Sequence, residues 1–107
     1  MAHFDLLQTL RTRALLCDGA MGTQLFAAGL APGESGERWN LEHPDRIEAI
    51  HRRYADAGCD LLTTNSFGAT ASALERHGLA DQVTQINQAA ARVARAAAGE
   101  DRGGGRL

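Results

Sequence analysis

The fold of this chain is decided by the stretch Leu15-Leu16-Cys17-Asp18-Gly19-Ala20-Met21-Gly22-Thr23. An apolar run ends in a carboxylate, and two glycines three positions apart follow it. We interpret residues 14–17 as a buried strand that carries Asp18 to a tight turn. Residues 59–67 repeat this order, with a strand predicted at 60–64 and polar side chains after it. If the two strands are parallel neighbours, their polar ends meet at one edge of a sheet, where small-molecule sites form in α/β proteins.

Apolar residues at helical spacing predict helices around these strands. The helices are expected at 4–12, 21–28, 44–57, 70–77 and 80–98. In the first helix, Phe4, Leu7 and Leu10 are expected to cover one end of a core. In the second, Leu25 and Phe26 are expected to face inward. The resulting order of strand, helix, strand and helix predicts an α/β fold with a right-handed crossover and a parallel sheet. Two strands are too few for a stable parallel sheet, so we expect the opening part of a larger α/β domain.

Composition narrows the function classes. The 107 residues are 44% hydrophobic and 22% charged, which predicts a globular chain, and the net charge of −2 gives no case for nucleic acid or anionic membrane as a partner. No run of about 18 apolar residues and no secretory leader is present, so we expect a cytoplasmic location. All 11 basic residues are arginine, which excludes a Schiff-base lysine or a complete Walker loop within this chain. Cys17 and Cys59 are expected to be small buried residues.

The ends of the two strands carry the candidate binding residues. Asp18 is suited to hold a substrate amine, and the amides of Gly19 and Ala20 are suited to bind a carboxylate, which together fit an amino acid. Thr64 and Asn65 add hydrogen-bonding groups at the neighbouring strand end. A purely structural role is the alternative for each, because Asp18 also suits a turn cap and the other two suit backbone capping. No catalytic triad and no paired acid–base system is recognisable.

Three further side chains are expected to have structural and not catalytic roles. Trp39 ends a long loop and is expected to pack that loop onto the domain, with a place in a substrate wall as the alternative. His51 lies in the middle of a predicted helix, facing either solvent or the sheet, and is expected to be non-catalytic. His77 is expected to act as a cation or hydrogen-bonding group at a helix end.

Several segments in order resemble the homocysteine S-methyltransferase family, the homocysteine-binding domain shared by cobalamin-dependent methionine synthases and betaine–homocysteine methyltransferases. These segments are Asp18-Gly19-Ala20-Met21-Gly22-Thr23, Glu37-Arg38-Trp39-Asn40-Leu41, Pro44 with Ile47 to His51, Tyr54-Ala55-Asp56-Ala57-Gly58-Cys59-Asp60, Thr64-Asn65-Ser66-Phe67, and Ile86-Asn87 with Ala90-Ala91-Arg92. They cover residues from about 14 to 98, and their wording is closest to the methionine synthase branch.

The resemblance implies the N-terminal portion, with the first two βα units, of an incomplete TIM (β/α)8 barrel. Residues 1–98 would be this part of the homocysteine-binding domain, and residues 99–107 a flexible Gly-rich tail. The family moves a methyl group to the thiol of homocysteine, giving methionine. Asp18, Gly19 and Ala20 would bind homocysteine at the barrel mouth, with Thr64, Asn65 and Phe67 beside them.

The resemblance also implies cofactors. Zinc binds the homocysteine sulfur in this family, through cysteines of later strands that do not match Cys17 or Cys59, and cobalamin acts through other domains in one branch. No catalytic or metal-binding residue is therefore assigned in this chain. The methyl donor is left open among methylcobalamin, betaine and an S-methyl compound.

We expect the chain alone to be inactive and to self-associate. One alternative is a non-catalytic α/β remnant or interaction module that retains part of an amino-acid-binding site. Another is an unrelated α/β binding domain.

Overall fold

A computed structural model of the chain describes residues 5–99. Within this range the chain forms six α-helices, which we number α1–α6, and one short 3₁₀ turn. Their bounds are α1 Leu6–Leu10, α2 Gly22–Ala27, α3 Trp39–Glu42, α4 Pro44–Asp56, α5 Ala71–Glu75, the 3₁₀ turn Ala80–Gln82, and α6 Val83–Ala98. None of these helices is long and apolar enough to cross a membrane. The predicted tail lies outside the described residues, except for Gly99.

The two predicted strands meet at a single parallel bridge between Cys17 and Leu61. The amide of Asp18 donates to the Leu61 carbonyl at 3.0 Å, and the amides of Asp60 and Leu61 donate to the Leu16 carbonyl at 2.8 and 3.2 Å. The parallel pairing is therefore as expected. The full strands predicted at 14–17 and 60–64 are wrong in extent, because the described residues contain only this bridge. A parallel pair with no other strand beside it has too few ladder bonds to hold a regular sheet.

The core consists of two apolar clusters that the helices enclose. The first joins α2, α3, α4 and α6 and contains Leu25, Leu30, Trp39, Ile47, Ile50 and Val93. The second lies between α5 and α6 and contains Ala69, Leu74, Leu79 and Ile86. Trp39 is 4% exposed and therefore packs the preceding loop onto the domain, which was the first of its two interpretations. The Arg46 guanidinium lies 4.9 Å from the centre of the Trp39 ring.

The two long helices follow their sequence signals closely. Pro44 opens α4, where its missing N–H costs nothing, and Gly58 follows the helix with a φ of +109°, a conformation that favours glycine. The apolar stripe of α6 is buried at Ile86, Ala90, Val93 and Ala97. These helices pack against each other and form the frame that carries the bridge.

Several apolar residues expected in the core are exposed. Leu7 of α1 is 72% exposed, and α1 contains no buried residue, so α1 does not cover the core of the described chain. Phe26 is 55% exposed and Leu16 is 57% exposed, so neither faces inward as expected. Cys17 is also exposed, whereas Cys59 is buried as predicted. Each of these misses has the same reason: the residue lies on a face that no other described element covers.

Candidate functional site

A cleft of about 370 Å³ opens where the two bridged segments end. It is lined by Asp18, Gly19, Met21, Gly22, Leu25, Glu37, Thr63, Thr64, Asn65, Ser66 and Phe67. Five of the six candidate binding residues are in this lining, and the sixth, Ala20, belongs to the turn beside it. The structure thus brings the polar ends of both segments to one place, as the parallel arrangement requires.

Asp18 fastens the two segments together at the base of the cleft. The Thr63 amide donates to both carboxylate oxygens of Asp18 at 3.1 Å, and the Asp18 amide pairs with the Leu61 carbonyl. This is the structural role that the sequence left as an alternative. The carboxylate can still accept further hydrogen bonds in this role, because an ionised carboxylate has about four lone-pair sites. A negative charge held this firmly is preorganised to accept a cationic group from the cleft.

Tyr54 of α4 fixes the turn after Asp18 by a hydrogen bond. The Tyr54 hydroxyl donates to the Ala20 carbonyl at 2.6 Å, and a Cβ at Gly19 would lie 3.2 Å from that hydroxyl oxygen. Within residues 5–99 the amides of Gly19 and Ala20 donate to no acceptor. Backbone N–H groups need a partner in a finished site, so these two are available to an anionic group beside Asp18.

Asn65 is fixed to the rest of the molecule by a buried amide pair. Its Nδ2 donates to the Gly36 carbonyl and to Oδ1 of Asn40, each at 3.0 Å. Asn40 Nδ2 in turn donates to the Asn65 carbonyl at 2.8 Å and to the Ile86 carbonyl at 3.3 Å. The pair ties α3, the segment after the bridge and α6 together. Asn65 therefore shapes the cleft wall through its backbone and amide contacts.

The rim of the cleft is carried by residues 64–68. The hydroxyls of Thr64 and Ser66 lie 2.6 Å apart and share a hydrogen bond. Phe67 is 100% exposed, so its ring stands free beside the opening. A ring that no described residue covers is available to pack on the apolar part of a ligand.

Sequence reasoning missed one charged residue of the cleft, Glu37. Two carboxylates, Asp18 and Glu37, are therefore in the lining, which contains no basic side chain. This charge favours a ligand with an amine. Glu37 was missed because the search followed strand ends, whereas Glu37 precedes a helix. The signal was present, because Glu37 opens the segment Glu37-Arg38-Trp39-Asn40-Leu41 of the family resemblance.

The two histidines considered from sequence lie outside the lining. His51 is fully buried on the inner face of α4, and burial lowers its pKa below the usual 6.5, while the charge of Asp18 opposes this shift. The backbone carbonyl of His77, just beyond α5, accepts a hydrogen bond from Arg38 Nη2 at 3.2 Å.

The described residues do not provide a zinc site. No group of three or more His, Cys, Asp or Glu side chains within residues 5–99 is placed to hold a metal ion. Cys59 is buried, with its Sγ 3.8 Å from the Cys17 carbonyl, and Cys17 is exposed. We therefore derive no chemical step through a metal from this chain.

Comparison with known proteins relates this site to one reaction class. The family model described as homocysteine S-methyltransferase matches residues 15–103. The methionine synthases of Mycobacterium leprae and Mycobacterium tuberculosis are 42% and 40% identical to this chain over 102 aligned residues, and each alignment covers 90% of this chain. The crystal structure of the homocysteine methyltransferase MmuM from Escherichia coli, in its oxidized form, is similar with a TM-score of 0.76 and 31% identity over 86% of this chain.

The matches cover most of this chain but only a small part of each similar protein. The chain spans 8% and 9% of the lengths of the two methionine synthases, and 33% of the MmuM chain. The matched region contains the whole cleft described above.

Proposed function

Because the chain belongs to the homocysteine S-methyltransferase family, we propose that it forms the amino-acid-binding part of an enzyme that methylates homocysteine. The methyl group is transferred to the homocysteine thiol, giving methionine. The homocysteine is held by its amino-acid end in the cleft between the two bridged segments. Since the chain spans less than a tenth of the methionine synthases it matches, the reaction is proposed for the whole enzyme and not for residues 5–99.

The observation that carries this proposal is the pairing of opposite binding groups at residues 18–20. The Asp18 carboxylate offers a fixed negative charge, and the unpaired amides of Gly19 and Ala20 offer donors one and two residues further on. A free amino acid carries an ammonium and a carboxylate on one carbon, so its two ends need such neighbouring partners. Asn65 and Phe67 also line the cleft, and the side chain would extend beside them.

We further propose that the two bridged segments and their helices are the first two βα units of a TIM (β/α)8 barrel. The parallel bridge and the similarity to MmuM support this arrangement. In such barrels the ligands bind where the strands end, which is where the cleft lies. Zinc and cobalamin belong to this proposal only as cofactors of the whole enzyme, and a cytoplasmic location is kept as a prediction.

The proposal is tested by calorimetric titration of the chain with L-homocysteine. Asp18→Asn removes the charge and keeps an oxygen for the Thr63 amide, so the fold is retained while the ammonium partner is weakened. A charge-assisted hydrogen bond contributes about 1.5–3 kcal/mol, so we expect the affinity to fall by about 10- to 100-fold. Asp56→Asn is the matched control, because Asp56 is exposed on α4 and outside the cleft lining. Equal affinity in the two variants would contradict the proposal.

One observation favours a second candidate function. The exposed Phe67 and Leu16 also suit a module that binds another protein surface. This function predicts that the chain binds no homocysteine in the same titration, and that the Asp18→Asn variant behaves as the parent chain does.

A further inference from the structure

The Glu37 carboxylate joins the two loops that form the outer wall of the cleft. Its Oε2 accepts a hydrogen bond from the Gly68 amide at 3.1 Å, and its Oε1 lies 3.4 Å from the Ser35 hydroxyl, which donates to it. The Ser35 oxygen accepts in turn from the Arg38 amide at 3.3 Å. We call the contact between Glu37 and Gly68 the rim strap.

Gly68 is shaped to receive this carboxylate. A Cβ at residue 68 would lie 2.9 Å from Oε1 of Glu37 and 3.1 Å from its Cδ. The first distance is shorter than a Cβ contact in a folded protein and the second is tighter than most, so any other residue would require the carboxylate to shift. The backbone of Gly68 does not require glycine, since its φ is not positive. The glycine thus serves the close approach of Glu37.

The rim strap is one of two attachments that join residues 65–68 to residues 35–38, and Asn65 is held in addition by Asn40. The first is the Asn65 amide on the Gly36 carbonyl, and the second is the Gly68 amide on Glu37. Both attachments end on the same turn, residues 35–38. Phe67 lies between them and is the residue of the cleft that no described neighbour covers. Its place beside the opening therefore depends on both attachments.

We propose that Glu37 is a positioning residue, which holds the rim of the cleft through Gly68 and thereby sets the affinity for homocysteine. This inference rests on the proposed function. It assigns the effect of Glu37 to its hydrogen bonds and not to its charge. A direct contact of the Glu37 charge with the substrate ammonium is the competing role, because Glu37 also lines the cleft.

The two roles separate in the variant Glu37→Gln. A glutamine oxygen accepts from the Gly68 amide, and the glutamine NH₂ donates to the Ser35 oxygen, so the rim strap survives without the charge. Glu37→Ala removes the strap and the charge together. Gly68→Ala leaves the charge in the cleft and displaces the strap. Glu75→Ala, at an exposed residue of α5, is the control for losing a carboxylate elsewhere.

The experiment measures homocysteine affinity by calorimetry and hydrogen exchange of the Gly68 amide by NMR in these variants. We expect Glu37→Gln to bind within about threefold of the parent chain, and Glu37→Ala and Gly68→Ala to bind about tenfold more weakly, the value of one lost hydrogen bond. The Gly68 amide should stay protected in Glu37→Gln and exchange faster in Glu37→Ala. Circular dichroism identifies any variant that has lost its helices, and Glu37→Gln, being isosteric, keeps the test decisive.

Three results would overturn the inference. If Glu37→Gln binds as weakly as Glu37→Ala, the charge acts on the ligand directly. If Glu37→Ala and Gly68→Ala both bind like the parent chain, the rim strap does not set affinity. If the parent chain itself binds no homocysteine, the proposed function fails, and unchanged Gly68 exchange in Glu37→Ala would then overturn the strap on its own.

Discussion

His51 is the residue whose surroundings are least expected from its chemistry. Its side chain is fully buried, and neither ring nitrogen has a hydrogen-bond partner within the described residues. A buried polar group without a partner costs about 1–3 kcal/mol, and a charged ring would cost more. The ring therefore favours the neutral form, because desolvation lowers its pKa more than the charge of Asp18 raises it.

The burial of His51 makes the stability of the fold depend on pH. The folded pKa lies below 6.5, so above that pH the ring is neutral in both states and contributes no dependence. As the pH falls below 6.5 the unfolded chain binds the proton first, and stability is lost by up to about 1.4 kcal/mol per pH unit until the folded pKa is reached. Urea denaturation between pH 7.5 and 5 should show this loss.

The variant His51→Leu should lose that part of the pH dependence, because it removes the titrating group. Ile50→Leu, at a fully buried residue of α4 that does not titrate, is the control and should keep the slope of the parent chain. An unchanged slope in His51→Leu would contradict this account of the ring.

At the scale of elements, the buried pair Asn40 and Asn65 holds the functional end of the molecule in place. Both residues belong to segments that carry the family resemblance, and both are at least 96% buried, being 2% and 4% exposed. Their hydrogen bonds join α3, α6 and the segment after the bridge. This part of the family signature is therefore explained by architecture, since the asparagines hold the wall against which a ligand would lie.

Removal of the Asn40 side chain should lower the stability of the fold. Asn40→Ala removes the hydrogen bonds that the Asn40 side chain makes with the Asn65 amide and with the carbonyls of Asn65 and Ile86, and we expect a loss of about 2–4 kcal/mol in the free energy of unfolding. Gln88→Ala, on the exposed face of α6, is the control and should change stability by less than about 0.5 kcal/mol. Similar losses in the two variants, measured by urea denaturation, would contradict the role of the pair.

Helices α4 and α1 show how much of the fold the periodicity of apolar residues can predict. Apolar spacing, Pro44 and Gly58 were enough to predict α4 almost to the residue, because each signal acts locally. The same spacing in α1 predicted an apolar face correctly but not its burial, since Leu7 and Leu10 have no described partner. Periodicity reports which face is apolar, whereas burial depends on what else is present to cover it.

The candidate site likewise contains residues that local sequence signals predict and a residue that such signals do not predict. Asp18, Thr64 and Asn65 were predicted because parallel strands bring their ends together, which follows from chain direction alone, whereas Phe67 was predicted from the family resemblance. Glu37 comes from a loop that reaches the cleft through contacts with Gly68, far away along the chain. The spacing of residues contains no signal for such a contact, so only the family segment pointed to it.

At the scale of the whole molecule, the dominant feature is apolar surface left uncovered. Within residues 5–99 the large exposed apolar side chains are Leu7, Leu10, Leu16, Phe26, Leu41 and Phe67. Within the described residues the bridge between Cys17 and Leu61 is the only strand pairing, and open strand edges promote association. The chain should therefore associate with itself in solution, and sedimentation velocity should show species that grow with concentration.

The double variant Leu16→Thr with Phe26→Ser should reduce this association, because both side chains are more than half exposed and neither lines the cleft. Ala27→Ser, at an exposed residue of α2 with little apolar surface, is the control and should associate like the parent chain. A parent chain that stays monomeric at every concentration and melts in one sharp transition would contradict this picture.

Amide chemical shifts report directly whether this cleft binds the amino-acid end of homocysteine. In a titration of the ¹⁵N-labelled 107-residue chain with L-homocysteine, we expect saturable shifts at Gly19, Ala20 and Thr63 that are lost or strongly weakened in Asp18→Asn. Saturable shifts confined to residues away from the cleft, or shifts at these three amides that persist unchanged in Asp18→Asn, would contradict it.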